Sequence, residues 1–93
     1  MIEAYVNEGG FYIKGHAESK VCAGVSSLAQ AIAMTCDKEV GASVYNEEEK
    51  LSVLFNQYGD REAILSRTLA RGLKAIQKDY PDQIELTITE GVI

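Results

Sequence analysis

Sulfur and imidazole are scarce in this chain, which has two cysteines and one histidine among 93 residues. Two thiols and one histidine fall short of a zinc site, which takes four ligands in paired spacings, so no metal is expected. A disulfide does not fit either. Cys22 and Cys36 lie on one continuous helical pattern, fourteen residues apart. At about 1.5 Å per residue that is roughly 21 Å, whereas a disulfide needs Cα atoms within about 7 Å. Long apolar runs are missing too: no segment approaches the roughly 18 to 20 residues of a membrane helix. The opening MIEAYVNEGG has no basic stretch leading into an apolar one, so a cytoplasmic location is expected rather than secretion. Positive charge is in deficit, with nine Lys and Arg against fourteen Asp and Glu for a net charge of −5. That balance argues against general nucleic-acid binding, which draws its affinity from neutralising phosphates. A phosphate-cradling glycine pattern is also lacking, and no cofactor is expected.

What remains is an ordinary apolar fraction with plentiful charge, the composition of one soluble globular domain over residues 1–93. Ile2, Ala4 and Val6 alternate with Glu3, Tyr5 and Asn7, and Phe11 and Ile13 alternate with Tyr12 and Lys14 across the turn NEGG. This pattern predicts a β-hairpin. From Ser19 the period changes. Val21, Val25, Leu28 and Ile32 mark one face of a helix running to about Glu39, with Ser19 as its N-cap and Gly41 at its end.

A second hairpin is predicted from ASVYN and KLSVLFN, closed by a solvent-exposed acidic turn, Glu47 to Glu49, with Leu51, Val53 and Phe55 facing inward. Asp60 caps a second helix lined by Leu65, Leu69, Leu73, Ile76 and Tyr80 and stopped by Pro81. Gly72 lies within it, where a missing side chain permits close helix packing. Ile84, Leu86 and Ile88 then alternate in a last strand. The order is ββαββαβ, an α+β fold with two helices packed on a mostly antiparallel sheet of about five strands. Tyr5, Tyr12, Tyr45 and Leu54 fall on the outward phase, which suits either a solvated sheet face or a subunit interface. Arg67, Arg71, Lys74 and Lys78 form a basic stripe opposite the leucines, which reads first as the solvated side of the helix and second as a salt-sensitive electrostatic contact with RNA or an acidic partner.

The candidate chemistry lies in GHAESKVCAGVSSLAQ, residues 15 to 30. A free thiol, with a pKa of about 8.5, is mostly protonated at pH 7, so a nucleophilic cysteine needs help to ionise. With Ser19 as N-cap, Cys22 falls at the third helical position, where unpaired amides and the helix dipole favour an anion. His16 ends the preceding strand, and a turn of five residues brings its imidazole toward the sulfur as base and later acid. Ser26 lies one turn after Cys22 on the same face. The bland reading of Cys22 is core packing beside Val21, Ala23 and Val25. Cys36, deep in the same helix with no histidine near it, reads as core.

GHA followed by VCAGVSSL resembles the ribosomal-processing cysteine protease family (Prp, or YsxB-like), whose members carry Gly-His-Ala, then Val-Cys-Ala with a small residue, then Val-Ser. The resemblance extends to chain length and element order. It implies a cysteine endopeptidase in which Cys22 is the nucleophile, His16 the base and Ser26 a supporting residue. The implied substrate is the short N-terminal extension of a bacterial large-subunit ribosomal protein, and the implied setting a cytoplasmic homodimer. Two features depart from the family. Only Ala17 to Val21 separate histidine from cysteine, where the family has a longer glycine-containing loop, and Ser19 stands where the family has an aspartate. These departures motivate an alternative, a non-catalytic dimeric ribosome-associated binding or assembly factor with the same fold. A redox-sensing thiol at Cys22 is a third reading.

Overall fold

The computed structural model describes residues 1–92. Its elements are β1 (Ile2–Asn7), β2 (Gly10–Gly15), α1 (Ser19–Val40), β3 (Ser43–Glu47), β4 (Lys50–Leu54), α2 (Asp60–Asp79) and β5 (Ile84–Ile88). The ββαββαβ order expected from hydrophobic periodicity is the order found. The sheet runs β3-β4-β2-β1-β5. β1·β2, β2·β4 and β3·β4 are antiparallel, while β5 joins β1 in parallel. A parallel neighbour needs a crossover rather than a hairpin, and the β4–α2–β5 segment returns the chain to the far edge of the sheet.

Register explains the core. Val6 lies opposite Phe11 and Phe11 opposite Val53, while Ala4 lies opposite Ile13 and Ile13 opposite Leu51. All six residues are buried in one cluster, beneath Val21, Val25, Ala29 and Ile32 of α1 and Leu69 and Leu73 of α2. At about 25 cal/mol per Å² of apolar surface withdrawn from water, this shared face is what binds helices to sheet. The two helices also meet closely. A Cβ placed on Gly72 would stand 2.4 Å from a methyl carbon of Leu28, which bears out the close packing expected of that glycine.

On the other face, Tyr5 and Tyr12 are cross-strand partners with stacked rings, 5.7 Å between centroids. Lys14 and Lys50 reach over the Tyr12 ring, and Tyr45 and Leu54 are exposed. Of the basic stripe, Arg71, Lys74 and Lys78 are exposed and Arg67 is half-buried. No helix among the described residues is long and apolar enough to cross a membrane.

Both helix starts lie one residue earlier than expected. The N-cap of α1 is Glu18, not Ser19. Glu18 supplies its carbonyl to the Cys22 amide at 2.9 Å while its own amide and carboxylate turn to Gln83. Cys22 is therefore the fourth helical residue, not the third. The N-cap of α2 is Gly59, not Asp60, because Glu62 folds back and accepts the Gly59 N–H at 2.9 Å. β4 stops at Leu54, one residue before the half-buried Phe55. The acidic turn is shorter than expected: Glu47 pairs with Lys50, leaving only Glu48 and Glu49 in the turn.

Candidate active site

β2 ends at Gly15, whose φ is +100°. A Cβ at this position would stand 2.3 Å from the carbonyl oxygen of Met1. Glycine alone makes that turn, and the next residue is His16. Three residues later α1 begins, and its Cα–Cβ bonds tilt toward its N-terminus, so the Cys22 side chain points back over the first turn. There the Ala17 amide donates to the sulfur at 3.2 Å, and the thiol donates to the Ala17 carbonyl at 3.3 Å. The thiol is half-buried.

His16 and Cys22 border a cavity of about 400 Å³ between the start of α1 and the β3–β4 hairpin. Ile13, Val25 and Leu51 give it apolar walls, Ser26 and Gln30 line the helix side, and Glu48 and Glu49 line the hairpin side. Its size is ordinary for a ligand site, as is the mix of apolar walls with a few convergent polar groups.

The three residues singled out from the sequence, His16, Cys22 and Ser26, thus border one cavity. Sequence reading missed Glu49. Its carboxylate Oε1 lies 2.5 Å from Nε2 of His16. Hydrogen bonding to Glu49 first, hydrogen bonding to Cys22 second and the charge of Glu49 third raise the His16 pKa above its ordinary 6.5. Both side chains remain largely in solvent, 67% and 50% exposed for His16 and Glu49. With Nε2 facing Glu49, Nδ1 is the imidazole nitrogen free for another partner.

Cys36 presents the opposite environment. It is completely buried, and burial first and the charge of Glu62 second push its thiol up to about 11. A thiol so held is inert, in keeping with its expected place in the core.

A family model described as "Cysteine protease Prp" matches residues 1–85. A comparison with curated protein sequences finds no match. Among solved structures, the chain is similar to the essential ribosomal processing protease Prp from S. aureus in complex with a covalently linked product peptide, at a TM-score of 0.81 and 18% identity, covering 96% of this chain and 100% of that one. It is similar to the same S. aureus protein in complex with a substrate peptide, at a TM-score of 0.79 and 16% identity, with 96% and 100% covered. A third similar structure is SMU.848 from Streptococcus mutans, at a TM-score of 0.75 and 15% identity, covering 96% of this chain and 97% of that one.

Proposed function

The chain belongs to the cysteine protease Prp family, and on that premise we propose that it removes the N-terminal extension of a bacterial large-subunit ribosomal protein, with Cys22 as nucleophile, His16 as base and Ser26 in support. The observation that carries this reading is the shared cavity: a half-buried thiol, the chain's one imidazole and a serine border the same space. The similar S. aureus protein is described with a substrate peptide and with a covalently linked product peptide. A peptide segment is likewise the ligand class that fits a cavity with apolar walls and a polar rim.

In the proposed reaction His16 takes the thiol proton, and the sulfur forms a bond to the carbonyl carbon of the scissile peptide as the C=O π pair moves onto oxygen. The amides that open α1 have no partner within the helix and lie at the positive end of its dipole, so they are the donors for that oxyanion. The Cys22 amide is not among them, because Glu18 holds it. Collapse of the intermediate expels the amine, which takes the proton from the imidazolium, and leaves a thioester on Cys22. Water, losing a proton to His16, hydrolyses the thioester, and the sulfur recovers the proton.

The reading includes a single domain working in the bacterial cytoplasm as a homodimer. Tyr45 and Leu54, 52% and 53% exposed on the open sheet face beside the Tyr5–Tyr12 stack, support that face as the subunit contact. Sedimentation equilibrium of the wild type and of Leu54→Asp measures it.

The decisive assay incubates purified protein with the ribosomal protein carrying its extension. Wild type trims the extension, while Cys22→Ser and His16→Ala do not. Undiminished trimming by both variants contradicts the dyad. Tight binding without trimming by any of the three supports the non-catalytic binding factor instead.

A further inference from the structure

We infer that Glu49 is a positioning residue for the reaction proposed above, holding the His16 imidazole with one nitrogen toward Cys22, so that the working unit is Cys22–His16–Glu49 rather than a pair. The inference rests on that reading of the site.

Three independent features converge on it. The first is the contact itself, 2.5 Å between Glu49 Oε1 and His16 Nε2. The second is the backbone. The Gly15 N–H donates to the Glu49 carbonyl at 3.1 Å, which ties the hairpin turn to the residue that precedes His16. The third is the conformation of Glu49, whose φ of +62° makes it the one non-glycine residue with positive φ among those described. That left-handed position in a two-residue turn suits glycine or asparagine, and an L side chain with a Cβ is strained there. Glutamate occupies it nonetheless. The turn alone gains nothing from this choice, whereas the carboxylate reaches the imidazole because of it.

Glu49 accepts the Nε2 proton and leaves Nδ1 for the thiol. When Nδ1 takes the proton from sulfur, the imidazolium forms against a fixed negative charge, and the proton stays on His16 rather than passing to Glu49. In the free protein the pair is exposed and screened by solvent. A peptide in the cavity covers it and strengthens it at the moment of use. The other charged groups bordering the cavity are Lys14 on β2 and Glu47, Glu48 and Lys50 on the hairpin. Lys14 is drawn to Glu3 at 3.8 Å.

The test uses untagged protein, because a single histidine then gives one unambiguous NMR titration. Glu49→Gly removes the carboxylate and relieves the turn, Glu49→Gln removes the charge alone, and Glu49→Asp retains it. Expected for Glu49→Gly are an unchanged or higher melting temperature and a His16 midpoint that falls toward 6.5. Its kcat on a peptide spanning the extension junction falls by about 10- to 100-fold, less than the roughly 100- to 10,000-fold that positioned proton transfer itself contributes, because His16 is still present, with KM changed less than twofold. Glu49→Gln follows it in midpoint and rate, and Glu49→Asp recovers both in part.

A His16 midpoint and a kcat that stay at wild-type values in Glu49→Gly and Glu49→Gln overturn the inference while leaving the dyad intact, provided His16→Ala is inactive. If His16→Ala cleaves as the wild type does, the dyad fails and the role of Glu49 falls with it.

Discussion

Glu18 and Gln83, 65 positions apart, hold each other through two hydrogen bonds: the Glu18 amide donates to Gln83 Oε1 at 2.8 Å, and Gln83 Nε2 donates to the Glu18 carboxylate. Gln83 sits at the entry to β5, and Glu18 is the N-cap of α1. The bond therefore pins the short segment between histidine and cysteine to the opposite end of the chain. Gln83→Ala is expected to speed hydrogen exchange at the Glu18 amide several-fold, since each such bond is worth about 1 kcal/mol net. Unchanged exchange, read by NMR, contradicts the pinning.

The raised His16 pKa has a signed consequence for stability. A group whose folded-state pKa lies above its unfolded value stabilises fully below the unfolded pKa, and loses that contribution as pH rises through the folded one. For His16 the unfolded value is the ordinary 6.5, and the pairing with Glu49 and Cys22 sets the upward shift. Urea midpoints of wild type and His16→Asn are expected to differ more at pH 6 than at pH 8. A difference that grows with pH reverses the sign and refutes the pairing.

Ser66 is fully buried in α2, and its hydroxyl has no hydrogen-bond partner. A buried, unsatisfied hydroxyl carries a desolvation penalty of about 1–3 kcal/mol, and an apolar side chain of similar size does not. Ser66→Ala is expected to raise stability by about 1 kcal/mol in urea denaturation. A loss of stability shows that the hydroxyl is satisfied.

Gly15 directs His16 into the site. An alanine here takes a left-handed φ and meets the Met1 carbonyl. Gly15→Ala is expected to cost more than the roughly 1–2 kcal/mol of the backbone conformation alone and to lower cleavage together with stability. Wild-type stability in that variant means that β2 can exit along another path.

The element order was legible because each segment has its own period. Ile2, Ala4 and Val6 repeat every second residue and are buried in β1, and Val21, Val25 and Ile32 repeat at helical spacing and are buried in α1. The gathering of His16, Cys22 and Ser26 was legible from one short stretch, since neighbours in sequence around a helix start are neighbours in space. The cap of α1 was not. Ser19 has the preferred chemistry for an N-cap, but the distant Gln83 engages Glu18 and moves the start by one residue.

Sequence alone places Glu49 in a solvent-exposed turn, and it is half exposed. Burial logic gives no reason to single it out among three consecutive glutamates. The available signal was turn chemistry: once Glu47 pairs with Lys50, a glutamate occupies a place that suits glycine or asparagine. The parallel docking of β5 was equally silent, because Ile84, Leu86 and Ile88 alternate in the same way whichever neighbour they join.

The most direct measurement is the rate of iodoacetamide alkylation at Cys22 and at Cys36 across pH, resolved by peptide mass spectrometry, in wild type and His16→Ala. Expected is alkylation of Cys22 that is fast in the wild type and slows when His16 is removed, while the buried Cys36 stays unmodified throughout. Alkylation of Cys22 that is indifferent to His16, or no faster than that of Cys36, contradicts the dyad.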